Sequence, residues 1–302
     1  MINLFNINHY QIDTSRFNNL LHDNIVQEFE CAFAEYVGAR YAAFANSASS
    51  LLFLSLLKYD TEIQLPSTIP PVVPNVVINT GNKIQFYNDI NWVGNAYHLH
   101  ENIFDSAQEV SKNQYGNYAN DDALVIFSFY PTKPVGGCDG GMIVSNNKDV
   151  IDWYRVMVLN GMNYSNNNWE RKQIAAGYKM HGSSIQAYIA YENLKKLDHK
   201  NNRLDEIREH YNDRLGYNST SRHLYRIRVA NNSKFIDMMK QEGMVCGVHY
   251  RHCHDRDFYG FGDPLPVSER ESEQTVSLPF HEKLSKSEIN KVITNVRKLA
   301  NI

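Results

Sequence analysis

The stretch "ALVIFSFYPTKPVGGCDGGMIVS", residues 123–145, decides the fold. An apolar, β-branched run ends in Ser128-Phe-Tyr-Pro-Thr, presents Lys133, and breaks into Pro134 and two glycine pairs before a second apolar run begins. Short apolar runs bounded by such punctuation predict buried strands, and Lys133 then sits in the turn at a strand's carboxyl end. A solvated surface lysine would satisfy the same pattern. The alternative is an amine kept partly neutral by burial, which is what attack on a carbonyl requires.

Upstream, "NIVQEFECAFAEYVG" spaces Ile25, Phe29, Phe33 and Val37 at helical intervals with Gly38 as the stop. "YAAFA" is a short apolar piece; "EIQLPS" and "KIQFYND" read as short strands, and "ENIFDSAQ" and "GGMIVS" as further strand ends. "LLFLSLLK" reads as a buried helix, and Val72, Val73, Val76 and Val77 fit a helix started by prolines. Strands alternating with helices predict an α/β layer with a mainly parallel sheet. From Ser183 to Gly216 the spacing of Ile185, Ile189, Leu194 and Leu197 predicts one long helix. The strands "HLYRIRVA" and "MVCGVHY" and the helices "SKFIDMMKQEG" and "SEINKVITNVRKLA" follow. The expected division is a large α/β domain over 1–199 and a smaller α+β domain over 200–302.

Composition narrows the function classes. A net charge of -3 offers no electrostatic case for nucleic acid. Neither the start, "MINLFNINHYQID", nor any later run has the apolar length of a signal peptide core or membrane helix. Four scattered cysteines read as reduced thiols, so a cytoplasmic location is expected. "HYRHCHDRD" gathers His249, His252, Cys253 and His254, but strand neighbours point to opposite faces and no second ligand cluster accompanies them; no metal is expected.

Two further features join Lys133. The small residues Asn46 to Ser50 open a helix, where unpaired N–H groups and the helix dipole can receive a phosphate, or simply form a capped helix start. "IFDSAQ" puts Asp105 at the end of an apolar strand with Gln108 three residues on. A carboxylate there either points into the ligand crevice of an α/β sheet or caps the next helix. Pyridoxal phosphate needs all three: a lysine to hold it as an imine, an acid beside its ring nitrogen and a cradle for its phosphate.

In that order the motifs resemble the sugar-nucleotide aminotransferases of the DegT/StrS type. "SASSLLFLSL", "LPSTIPPVVPNVV", "IFDSAQ", "SFYPTKPVGGCDGG", "GYKMHGSSIQAYIAYENLKKLD", "HLYRIRV", "GVHY" and "VSLPFHEKLSKSEI" are similar to that family's landmarks in sequence. The resemblance implies a three-layer α/β fold of the aspartate aminotransferase type with a smaller α+β C-terminal domain. It implies pyridoxal 5′-phosphate as cofactor, a nucleotide-linked keto sugar as substrate, glutamate as amino donor and a homodimer that shares its active sites. It also implies roles. Lys133 would bind the cofactor and shuttle the proton between C4′ and the substrate carbon. Asp105 would hold the pyridine nitrogen, with Gln108 beside the ring. Ala48, Ser49 and Ser128 would hold the phosphate, Ser50 lying near. His249 and Tyr250 would face the sugar nucleotide.

The chain departs from the pattern at named positions. Ala48 replaces a glycine. Ile69 and Pro70 stand where the family has Thr and a ring-stacking aromatic, so Pro70 would cover that face. Lys179 stands for an asparagine that reaches the partner subunit's phosphate, and His181 for an arginine near the substrate. Only "INWVGNAYHLHENIF" separates Asp89 from Asp105, where relatives carry another strand and helix. Two rival readings are a sugar dehydratase on the same fold, which would lack the imine-forming lysine, and a non-catalytic relative.

Overall fold

The computed structural model describes residues 1–118, 121–163 and 170–300. Helix α1 (Ile25–Val37) ends at Gly38, whose φ of 81° closes the last turn, as its spacing predicts. The chain then runs through β1 (Tyr41–Ala45), α2 (Ala48–Leu56), β2 (Glu62–Pro66), α3 (Val72–Asn79) and β3 (Lys83–Tyr87). Next come β4 (Tyr97–His100), β5 (Ile103–Asp105), β6 (Leu124–Ser128), β7 (Gly141–Ser145) and α4 (Lys148–Val158).

The main sheet has the order β1-β7-β6-β5-β4, and β2 and β3 form a separate parallel pair. The expectation of a mainly parallel sheet is corrected here. Only β5 and β6 run parallel in the main sheet; β1–β7, β6–β7 and β4–β5 are antiparallel. For β4 and β5 the reason is chain length. A parallel pair needs a crossover of about a dozen residues or more. The two residues between His100 and Ile103 allow only a hairpin, turned at Glu101 with φ 48°. The short segment after Asp89 therefore supplies an antiparallel strand.

Three layers form because alternate side chains leave the sheet on opposite faces. Ala42, Phe44, Val125, Phe127, Met142 and Val144 join Phe29 and Phe33 of α1 in one core. Ala43, Ala45, Leu124, Ile126 and Ile143 join the residues of α2, α3 and α4 in the other. Both faces of β6 and β7 are covered, which is why their sequences read as unbroken apolar runs.

The long helix expected over 183–216 is two helices, α5 (Ser184–Leu194) and α6 (Leu197–Leu215), broken at Lys195-Lys196. Ser183 and Gln186 form a capping box at the start of α5. Beyond lie β8 (Tyr225–Arg228), α7 (Asn232–Gln241), α8 (Pro266–Gln274), β9 (Thr275–Leu278) and α9 (Lys286–Ala300), with β8 and β9 antiparallel. "MVCGVHY" makes only isolated bridges, Met244 to Ile2 and Gly247 to Ser277, instead of a strand. The chain start supplies its partner there: Ile2 donates to the Gly243 carbonyl and accepts from Val245 N, both at 2.8 Å. Ile2 also enters the C-terminal core of Leu204, Tyr225, Phe235 and Val292.

Candidate active site

The carboxyl ends of β5 and β6 and the start of α2 open on one cavity of 380 Å³, the place where α/β sheets receive ligands. Ala48, Ser49, Pro70, Asp105, Gln108, Ser128, Lys133, His249 and Tyr250 all line it. So nine positions from five separate stretches of sequence converge.

Lys133 lies on the turn after β6, its N–H bonded to the Tyr130 carbonyl at 2.9 Å. Gly136 completes the reversal at φ 69°, where a Cβ would sit 3.0 Å from the Pro131 carbonyl oxygen. Among the described residues, no hydrogen bond or ion pair engages the Lys133 amine. Burial pulls its pKa below the usual lysine range, and the Asp105 carboxylate opposes that shift.

Asp105 is 4% exposed at the end of β5. Ala107 N donates to its Oδ1 and the Tyr97 hydroxyl to its Oδ2, each at 2.9 Å. Burial raises the Asp105 pKa, while these two donors and Lys133 pull it down. Tyr97 pairs with Asp105 across β4 and β5, so the two side chains share a face of the sheet. Gln108 is buried and accepts from Gly94 N at 2.9 Å, which ties the 90–97 segment to the site.

Helix α2 begins at Ala48 because Ser47 caps it, its hydroxyl accepting from Ser50 N at 3.1 Å. The Ser50 hydroxyl turns away to Asn46 Oδ1 at 2.7 Å, and Ser50 does not line the cavity. The N–H groups of Ala48 and Ser49 can have no partner within the helix, and both residues face the cavity. Close packing sets this opening, since a Cβ on Gly141 would lie 2.4 Å from Ala48 N.

Lys179 and His181 stand apart. Lys179 is exposed, and His181 lines a second cavity of 330 Å³ with His22, their rings 4.6 Å apart. Burial first, then Lys179 and Arg171, lowers the His181 pKa. The histidine-rich stretch divides among separate partners: His252 bonds Ser272, His254 bonds Ser67, and Cys253 donates to the Ile69 carbonyl.

Several cavity residues escaped the sequence reading, among them Phe5, Trp92, Tyr97 and His223. His223 is 5% exposed and stacks on Phe5 at 5.7 Å. Burial and the nearby Lys133 push its pKa well down. Tyr97 alone carried a signal, since a tyrosine two positions from Leu99 begins an alternating strand.

The donor set fits pyridoxal 5′-phosphate. An unengaged amine, a buried carboxylate and the open N–H groups of a helix start face one space of suitable volume. Comparisons with known proteins agree. The profile of the DegT/DnrJ/EryC1/StrS aminotransferase family matches residues 98–297. A UDP-4-amino-4,6-dideoxy-N-acetyl-beta-L-altrosamine transaminase of Campylobacter jejuni subsp. jejuni serotype O:23/36 (strain 81-176) is 26% identical over 322 residues, covering 83% of this chain and 85% of its own. The aminotransferase TlmJ from Streptoalloteichus hindustanus superposes with a TM-score of 0.83 at 22% identity, over 99% of this chain and 98% of its own. Spr1654 from Streptococcus pneumoniae, in its PLP form, superposes with a TM-score of 0.80 at 16% identity over 98% of each chain. The fold is that of the aspartate aminotransferase type, and the chain belongs to the DegT/DnrJ/EryC1/StrS aminotransferase family.

Proposed function

We propose that this aminotransferase converts a nucleotide-linked keto sugar to an amino sugar, with glutamate as amino donor. The transaminase activity for which the Campylobacter relatives are named favours a UDP-linked 4-keto-6-deoxy-N-acetyl sugar aminated at C4. The observation that carries the reading is the meeting of Lys133, Asp105 and the open start of α2 on one cavity. Retention of Lys133 argues against the dehydratase reading.

Pyridoxal phosphate, when bound, supplies the electron sink. The N–H groups of Ala48 and Ser49, with the Ser49 and Ser128 hydroxyls, would hold its phosphate. Ser50 acts behind them by completing the cap. Asp105, positioned by Tyr97 and Ala107, would pair with the pyridine nitrogen, while Gln108 would border the ring and Pro70 would cover part of one face. Lys133 would hold the cofactor through its aldehyde carbon and would serve as the proton carrier beside it; burial, by lowering its pKa, keeps the amine competent for both. His249 and Tyr250 face the sugar nucleotide.

The reading includes a homodimer in which Lys179 reaches the partner's phosphate site and His181 lies near its substrate. Their position outside their own cavity supports that arrangement. A large domain of 1–199 carries the cofactor and a smaller one of 200–302 closes the cleft, with the chain start packed on the latter. The amino sugar serves a surface polysaccharide such as O-antigen. A cytoplasmic location suits nucleotide-sugar chemistry; among the described residues no helix is long and apolar enough to cross a membrane.

The test is direct. Purified protein with pyridoxal phosphate should absorb in the visible, lose that band on borohydride treatment, and form 2-oxoglutarate from glutamate and the keto sugar. Lys133→Ala should lose the band and at least about a thousandfold in rate. A wild-type protein that never acquires the band would overturn the proposal.

A further inference from the structure

Residues 90–97 bring into the cavity one side chain whose hydrogen bonding the fold leaves unfinished. Trp92 is 7% exposed and lines the same space as Lys133 and Asp105. Its indole Nε1–H is buried and, among the described residues, has no hydrogen-bond partner. Two aromatic neighbours hold the ring. Tyr97 meets it edge-on at 4.7 Å, and Tyr250 stacks on it at 6.1 Å with 8° between the planes. The first of these also donates to Asp105, so the indole belongs to the group of residues around the carboxylate.

A buried donor without an acceptor is destabilising, and buried tryptophans normally find one. Phenylalanine would offer the aromatic packing without that penalty. The arrangement is accounted for if the acceptor arrives with a ligand. We propose, resting on the function proposed above, that Trp92 is a cofactor-binding residue whose indole N–H donates to an oxygen of pyridoxal phosphate. The segment between β3 and β4 thereby contributes to the binding site as well as to the sheet.

The test is Trp92→Phe, which keeps a ring between Tyr97 and Tyr250 and removes the donor. Pyridoxal phosphate is titrated into the unloaded protein and followed by visible absorbance, and the unloaded proteins are melted. The dissociation constant should rise roughly tenfold, the usual worth of one such bond. The unloaded variant should melt no lower than wild type, because an unsatisfied donor has gone. Where the phenylalanine variant proves unstable, Trp92→Tyr fills the site with a differently placed donor and should show the same loss of affinity. Unchanged affinity, or a loss of unloaded stability with binding intact, would reduce Trp92 to a packing residue and overturn the inference. Failure of wild type to bind pyridoxal phosphate at all would instead remove the functional proposal beneath it.

Discussion

Gly141→Ala isolates the phosphate cradle from the chemistry. The new methyl would lie 2.4 Å from Ala48 N and 2.6 Å from the Ser47 carbonyl carbon, both backbone atoms. Ordinary contact begins at 3.4 Å, so the start of α2 must retreat by about 1 Å from a close-packed neighbour. An N–H···O bond of about 2.9 Å lengthened that far is no longer a hydrogen bond. Two donors to a charged phosphate, each worth about 1.5–3 kcal/mol, are at stake, which corresponds to at least a hundredfold in affinity. The fold itself should lose only about 1–3 kcal/mol, the usual cost of overpacking. Spectral titration with pyridoxal phosphate reads the affinity, and a thermal melt of the unloaded protein reads the fold. Gly116→Ala is the control, since nothing lies within 4 Å of its added Cβ. A Gly141→Ala protein that melts near wild type and binds pyridoxal phosphate with wild-type affinity would refute the assignment of α2 as the cradle.

Two other predictions concern pH and assembly. Burial, then the Lys133 and Arg226 cations, depress the His249 pKa from 6.5 to about 4. Above pH 6.5 neither state is protonated; as pH falls toward 4 the unfolded chain takes up the proton first, so stability is lost across that window. From pH 7 to 5.5 the unloaded protein should lose about 1 kcal/mol from this group, and His249→Gln should flatten that part of the curve; identical curves would exclude it. If active sites are shared, Lys133→Ala and Lys179→Ala subunits, each inactive alone, should regain roughly a quarter of wild-type activity when unfolded and refolded together, since half the dimers then hold one intact site. No recovery would place Lys179 outside the partner's site.

Local sequence determined the elements that bury one pattern against one period. Phe29, Phe33 and Val37 with Gly38 specify α1, and the apolar runs of β6 and β7 specify strands covered on both faces. Because residue type and chain order carry the chemistry, Lys133, Asp105 and the start of α2 were legible as candidates, and they meet on one cavity. Strand direction was not legible in the same way, since alternation is identical for parallel and antiparallel strands; only for β4 and β5 did a local feature, the two-residue link before Ile103, decide it. The break at Lys195-Lys196 was equally hidden, because both residues are good helix formers; Leu194 and Leu197 on either side of it share one core, and α6 enters the other only from Leu204 on. Trp92, Tyr97 and His223 became site residues only in three dimensions. Their neighbours there are distant in sequence, and burial, partnership and pKa are properties of those neighbours, so tertiary structure alone could assign them.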